Sequence, residues 1–312
     1  MIFEIMLSFL IQITPVFLII LLGIVFGFFN KNFDLNLVSA LNRFAYYVGF
    51  PSIVIFSFLN TSLKDQSIIE SALLNFGLLV FYLLLLLVTL PFILRNKKLE
   101  NTYLICVLFG NVAYLGFPLL KSIFPNSETL LSLIIAGYLL LIFTVLIVKL
   151  ELDEKRNKLE ILPLIRKLIL NPLLLSCFIG IGLKLFNIQL PSILNNGIEM
   201  ISKSASPVVL FALGVFIAKN KIDLKELKQA TYISLIKLLV LPVLFLLIGL
   251  GFSIRQNNFQ VLIGMATMPV AITPFVLAEI YNLNKKIIVN AIMISTILSL
   301  VSISCWLAII PS

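Results

Sequence analysis

The chain has 312 residues, of which 61% are hydrophobic and only 12% charged, with a mean hydropathy of +1.14. Soluble domains are roughly half apolar and a quarter charged, so this composition excludes an ordinary soluble protein. The net charge of +9 does not call for nucleic acid, because the basic residues fall between apolar runs, where membrane proteins gather them on the cytoplasmic side.

A membrane span needs about 20 apolar residues. Ten such runs follow one another at about 6–29, 37–59, 70–94, 101–121, 129–149, 168–187, 198–218, 230–251, 258–281 and 287–310. The first opens MIFEIMLSFLIQITP, lacks a basic start and reads as a span, not a cleaved signal. It carries Gly23 and Gly27 as a GxxxG pair, which suits close packing either within the chain or across a dimer. Arg43 in the second run lies near an end, within snorkelling reach of the surface. The fourth run holds GNVAYLGFP (110–118), with two glycines, an asparagine and a proline in its middle. After the fifth comes the longest polar stretch, KLELDEKRNKLEILPLIRK (149–167). The eighth run contains Lys237, the most deeply placed charge, and the ninth holds GMATMPVAITP (264–274), followed by Glu279.

Sixteen Lys and Arg fall in the loops of one side and five in those of the other. The positive-inside rule then puts both termini outside and 150–167 in the cytoplasm, in a plasma membrane. The domains expected are a first set of five spans (1–150), a cytoplasmic linker (151–167) and a second set (168–312).

The halves repeat. Pro15 and Pro172 are 157 apart, as are Gly23 with Gly180 and Asn30 with Asn187; Pro51 with Pro207 and Pro118 with Pro274 are 156 apart. Five is odd, so the second half enters the membrane the other way round. The fold expected is an all-α polytopic membrane protein, ten helices in a five-plus-five inverted repeat with broken, crossing helices 4 and 9. That plan belongs to many secondary transporters, whose sites lie at midplane breaks. Unwound backbone at that depth needs protein or a water-filled cavity around it. The crossing is expected at Gly110, Pro118 and Pro274, with an anion held by Asn111, Tyr114, Gly116, Thr267, Pro269 and Thr273. Helix N-termini there offer free N–H groups and partial positive charge. Asn111 also reads as a plain interhelical hydrogen bonder. Lys237 reads either as charge support for the anion or as a snorkelling residue.

Several segments resemble the auxin efflux carrier family: LNRFAYYVGFPSIVIFSF, GNVAYLGFPLL, NPLLLSCFIGIGLKL, PVVLFALGVFIA, KLLVLPVL and MPVAITPFVLAEIY. The resemblance covers essentially the whole chain and is most specific in the fourth and ninth runs. It implies the ten-span repeat with crossing helices and a homodimer. It also implies a scaffold of spans 1, 2, 6 and 7 against a moving remainder. Members carry small organic anions such as auxin, malate or malonate, and the short central loop is similar to that of the bacterial members. The function expected is therefore alternating-access transport of small carboxylates, as facilitator or exporter. The partners are the anion and the lipid bilayer, not nucleic acid. A sodium- or proton-coupled symporter of the bile-acid type is the alternative, though every Asp and Glu lies near a span end or in a loop. No metal or cofactor is expected, since histidine is absent and Cys106, Cys177 and Cys305 show no ligand spacing. An enzyme would need a nucleophile with its base, and none is visible.

Overall fold

The computed structural model describes residues 2–60, 65–154, 170–252 and 254–309, and the elements in these stretches are helical. In chain order they are α1 (Ile2–Phe29), α2 (35–60), α3 (Gln66–Ile93), α4a (Lys97–Leu108), α4b (Val112–Ile123) and α5 (128–154). Then come α6 (Pro172–Leu185), α7 (Ser192–Lys219), α8 (Leu227–Gly249), α9a (Gln256–Ala266), α9b (Thr273–Ile280) and α10 (Lys285–Ile309). Among the described residues, α1, α3, α5, α7, α8 and α10 are the six helices long and apolar enough to cross a membrane. The chain is therefore a multi-pass membrane protein.

The other four expected spans take different shapes. α2 is long but carries an exposed Arg43 and a π-helical turn at Ala45–Gly49. α6 is a 14-residue helix that starts at Pro172, with Asn171 capping it by accepting the Leu173 N–H at 2.9 Å. α4 and α9 are broken in two. Most of the polar stretch 149–167 lies outside the described residues, as does Lys64.

Proline explains much of this irregularity. It lacks an N–H for the carbonyl four residues back, and its ring presses on that carbonyl. A π turn, with one extra residue, relieves the clash. Three π turns stand two residues ahead of a proline: Ala45–Gly49 before Pro51, Val112–Gly116 before Pro118, and Ile236–Val240 before Pro242. The carbonyl that Pro242 leaves free, that of Leu238, accepts the Trp306 indole N–H from α10 at 2.9 Å.

α1 and α7 form the most extensive helix pair. Their backbones touch: a Cβ placed on Gly23 would meet the Phe211 carbonyl oxygen at 2.1 Å, and one on Gly214 would meet that of Ile20 at 2.0 Å. A Cβ on Gly27 would stand 2.7 Å from the Ala218 Cβ. The GxxxG pair is thus spent within the chain. α6 packs on α2 in a related way, with Gly180 under Phe58.

The remaining helices are tied by polar contacts, most of them at one end of the molecule. There Lys149 reaches Glu100 at 3.1 Å, the Asn101 side-chain Oδ1 at 2.7 Å and Asp153 at 2.7 Å. The Asn284 N–H donates to Thr102 at 3.1 Å, Tyr281 to Glu151 at 3.0 Å, and Tyr103 to Gln229. Lys286 pairs with Asp223 at 2.8 Å and holds its carboxyl below the usual carboxylate range. At the opposite end Asn258 on α9a donates to the Ser71 hydroxyl at 3.1 Å, and Arg255 pairs with Asp65 at 3.1 Å.

Candidate functional site

The two breaks meet. α4a ends where Phe109 turns extended (φ −77°, ψ 91°), and α9a ends at Ala266, just before Met268-Pro269. A residue that precedes proline is pushed out of the α region, so a helix stops there naturally. Gly110 and Val270 then pair antiparallel. The Asn111 N–H donates to the Pro269 carbonyl at 2.8 Å, and the Ala271 N–H donates to the Phe109 carbonyl at 2.9 Å. A third bond, from the Val270 N–H to the Ser295 hydroxyl of α10 at 3.1 Å, holds the pair from behind. Backbone groups that would be orphaned in hydrocarbon are thereby satisfied.

Beyond the pairing each chain becomes helical again. The Asn111 carbonyl accepts the N–H groups of Leu115 (3.2 Å) and Gly116 (2.9 Å) and so starts the π turn of α4b. Asn111 is 5% exposed as a residue. α9b starts at Thr273-Pro274, proline being suited to a first turn where its missing N–H costs nothing.

Lys237 stands against this pairing. It lies in the π turn of α8 and is 0% exposed, so it does not snorkel. Its ammonium has no hydrogen-bond partner among the described residues. A Cβ on Gly110 would lie 3.0 Å from the Lys237 Nζ and 3.2 Å from its Cε. The amine therefore touches the backbone of the α4 break at the point where that break has no side chain. A lone cation in such a place is costly, which makes it a candidate for function.

The other expected residues are placed as follows. Gly116 packs on the end of α9a and the residues just after it, where a Cβ would meet the Met265 Sδ and the Met268 Cγ, each at 3.0 Å. Thr267 is fully buried, and its hydroxyl donates to the Gly264 carbonyl at 2.7 Å, inside its own helix. Pro269 is buried, and its carbonyl is engaged by Asn111. Tyr114 is half-buried and meets Phe50 of α2 edge-on, with centroids 5.4 Å apart, so it faces a neighbouring helix. Thr273 is half-buried at the head of α9b. Pro118 follows the π turn of α4b. The side chain of Glu279 lies outside the described ones.

Sequence reasoning did not find Ser295, Trp306, Met265 or Met268. A serine or tryptophan in an apolar helix carries no pattern that names its partner. The proline two residues after Val240 was the available signal for the π turn that holds Lys237.

Six membrane-length helices, with two broken helices paired among them, define a polytopic membrane protein. The sequence profile of the family described as Membrane transport protein matches residues 8–307. The chain belongs to this family, which is that of the auxin efflux carriers. An uncharacterized transporter of Methanocaldococcus jannaschii is 25% identical over 311 residues, covering 93% of this chain and 96% of its own. A Rhizobium meliloti protein whose name provisionally assigns it malonate transport is 25% identical over 279 residues, 87% of each chain. Auxin efflux carrier component 2 of Oryza sativa is 31% identical over 140 residues, which is 43% of this chain and 22% of that protein.

Proposed function

We infer that this protein is a secondary carrier of small organic anions, working by alternating access around the crossing of α4 and α9. The observation that carries the reading is the pairing of the two breaks beside the Lys237 Nζ, which is buried without a partner among the described residues, and beside the buried residue Asn111 with its side-chain amide. Both groups donate hydrogen bonds, as a carboxylate requires. The name of the Rhizobium meliloti relative points to the same chemical class.

The architecture we propose is ten spans in a five-plus-five inverted repeat, 1–150 and 168–312, joined by a cytoplasmic linker at 151–167. Its support is an equivalence of contacts. Gly23 packs on Gly214 and Gly180 packs on Phe58; shifting the first pair by 157 and 156 positions gives the second. The basic asymmetry supports a plasma-membrane protein with both termini outside, and the family resemblance supports a homodimer.

The test is a thermal-shift screen of purified protein against mono- and dicarboxylates, since a ligand that binds the folded state raises the midpoint. Asn111→Ala should weaken the response about 10- to 150-fold, for the loss of about 1.5–3 kcal/mol from a hydrogen bond to a charged group. Unchanged affinity would move the site away from the crossing. Transport should be electrogenic efflux. An inside-negative potential of 100 mV is worth about 2.3 kcal/mol per charge, which depletes a monoanion about 50-fold inside. Flux in proteoliposomes that vanishes without sodium would overturn uniport.

A further inference from the structure

The apolar segments around the crossing, inside the ring of charges at their ends, are nearly free of charge. Segments 71–94, 101–120, 129–148, 229–254, 256–278 and 287–309 together contain one Asp, Glu, Lys or Arg, and it is Lys237. Glu279 follows at the end of α9b, past the last of these residues in α9.

Helix ends do not change that balance. α4a and α9a bring C-terminal ends to the crossing, while α4b and α9b bring N-terminal ends. Each end carries about half an elementary charge, negative at a C-terminus and positive at an N-terminus, so the four offset one another to first approximation. What remains is the Lys237 amine, whose charged form an anion beside it would favour.

We propose that this site takes anions of one negative charge: monocarboxylates and half-amides or half-esters of dicarboxylic acids, with the carboxylate on the Lys237 Nζ beside Gly110 and the Asn111 amide as second donor. The inference rests on the anion-carrier reading above. The carboxylate gives the buried ammonium the partner that the described residues do not supply. Gly110 keeps the approach open, because any Cβ there would stand at 3.0 Å from the Nζ. A second carboxylate would be a buried charge without a counter-ion, and such charges are strongly disfavoured. A neutral polar tail in its place meets no such penalty. Charge, more than size, thus separates substrates at this site.

The experiment uses isosteric pairs on the purified full-length chain at pH 7, read by thermal shift: malonate against malonamate, and succinate against succinamate. The singly charged member of a pair should bind at least about tenfold more tightly. Lys237→Met should abolish the response while raising the unliganded midpoint, because it removes a buried charge that lacks a partner. A purely structural lysine would lower that midpoint. Lys237→Arg keeps the charge and should keep the preference for the monoanion. A dianion that binds as tightly as its half-amide overturns the charge count and leaves anion carriage standing. So does a Lys237→Met protein that responds like the parent. If the parent responds to no carboxylate, the carrier reading falls and the charge count falls with it.

Discussion

The helices sort into two groups held together by different physics. α1, α2, α6 and α7 meet through glycine and apolar surface: Gly23 on Gly214, Gly27 on Ala218, Gly49 on Ala205, Gly180 on Phe58. Their mutual polar contacts include Asn171 to Tyr46 at 3.0 Å and Lys219 to the Asn30 carbonyl at 3.3 Å, near helix ends. The other group, α3–α5 and α8–α10, is laced across its helices by the Glu100–Lys149 cluster, by Ser295 and Trp306, and by the paired breaks. Between the groups stand ring contacts, Phe50 with Tyr114 and Phe216 with Phe275 (4.9 Å), and the Cys305 thiol on the Met6 sulfur at 3.7 Å. Directional bonds fix a geometry, while apolar contacts can be exchanged for others of similar energy. The difference argues for a polar body that keeps its shape while it moves against a dry scaffold.

Substitutions that sharpen this contrast act in opposite ways in the two groups. The largest effect is expected for Gly214→Ala, which forces a methyl to 2.0 Å from the Ile20 carbonyl and must part α1 from α7. Its cost is about 3 kcal/mol, the upper range for overpacking. Gly77→Ala in α3, where a Cβ meets nothing within 4 Å, should be neutral or stabilise by up to about 1 kcal/mol. Unfolding midpoints in detergent compare the two, and equal losses would remove the special standing of the α1–α7 contact. In the polar body, Lys149→Met leaves Glu100, itself 3% exposed at the side chain, with only the exposed Lys97 at 3.0 Å. Breaking a buried pair costs about 3–5 kcal/mol, and the partial exposure of Lys149 brings the expectation to about 2–3 kcal/mol. Trp306→Phe orphans the Leu238 carbonyl and should cost about 1–2 kcal/mol while loosening the π turn that carries Lys237. A thermal shift of that size with unaltered anion affinity would separate the turn from the site.

The smallest effect belongs to Asp65. The Ser67 hydroxyl and N–H, then Arg255, hold its carboxyl below the usual carboxylate range. A lowered folded-state pKa contributes stability above the ordinary carboxylate value, and that contribution is lost as pH falls through the lowered one. The difference between the parent and Asp65→Asn should therefore hold above the ordinary carboxylate value of about 4 and shrink as pH falls below it, and a difference that does not shrink in acid would contradict it.

The membrane class and the positions of both breaks were legible because apolar length and Gly/Pro interruption are local properties of the chain. GNVAYLGFP and GMATMPVAITP contain the residues that now pair. Which groups the pairing consumes was not legible. The backbone at Pro269 was expected to help hold the ligand, and its carbonyl accepts the Asn111 N–H; the Thr267 hydroxyl donates to the Gly264 carbonyl. Lys237 was visible as a deep charge, but its burial depends on a π turn, and a turn that gains one residue rotates every later side chain on the helix. The dependence of that turn on Pro242 is a rule of local sterics that the sequence does display.

The claim that the body moves against the scaffold has a direct test at the sulfur contact between α1 and α10. Met6→Cys would face the native Cys305 across the two groups, and Ser234→Cys with Ala291→Cys would face each other inside the body, where the Ser234 hydroxyl lies 3.4 Å from the Ala291 carbonyl. Each variant is cross-linked and its carboxylate flux followed in proteoliposomes. The account predicts that the link from Met6→Cys to Cys305 stops transport until it is reduced, while the link within the body leaves transport running. Undiminished flux through the cross-linked Met6→Cys protein would contradict it.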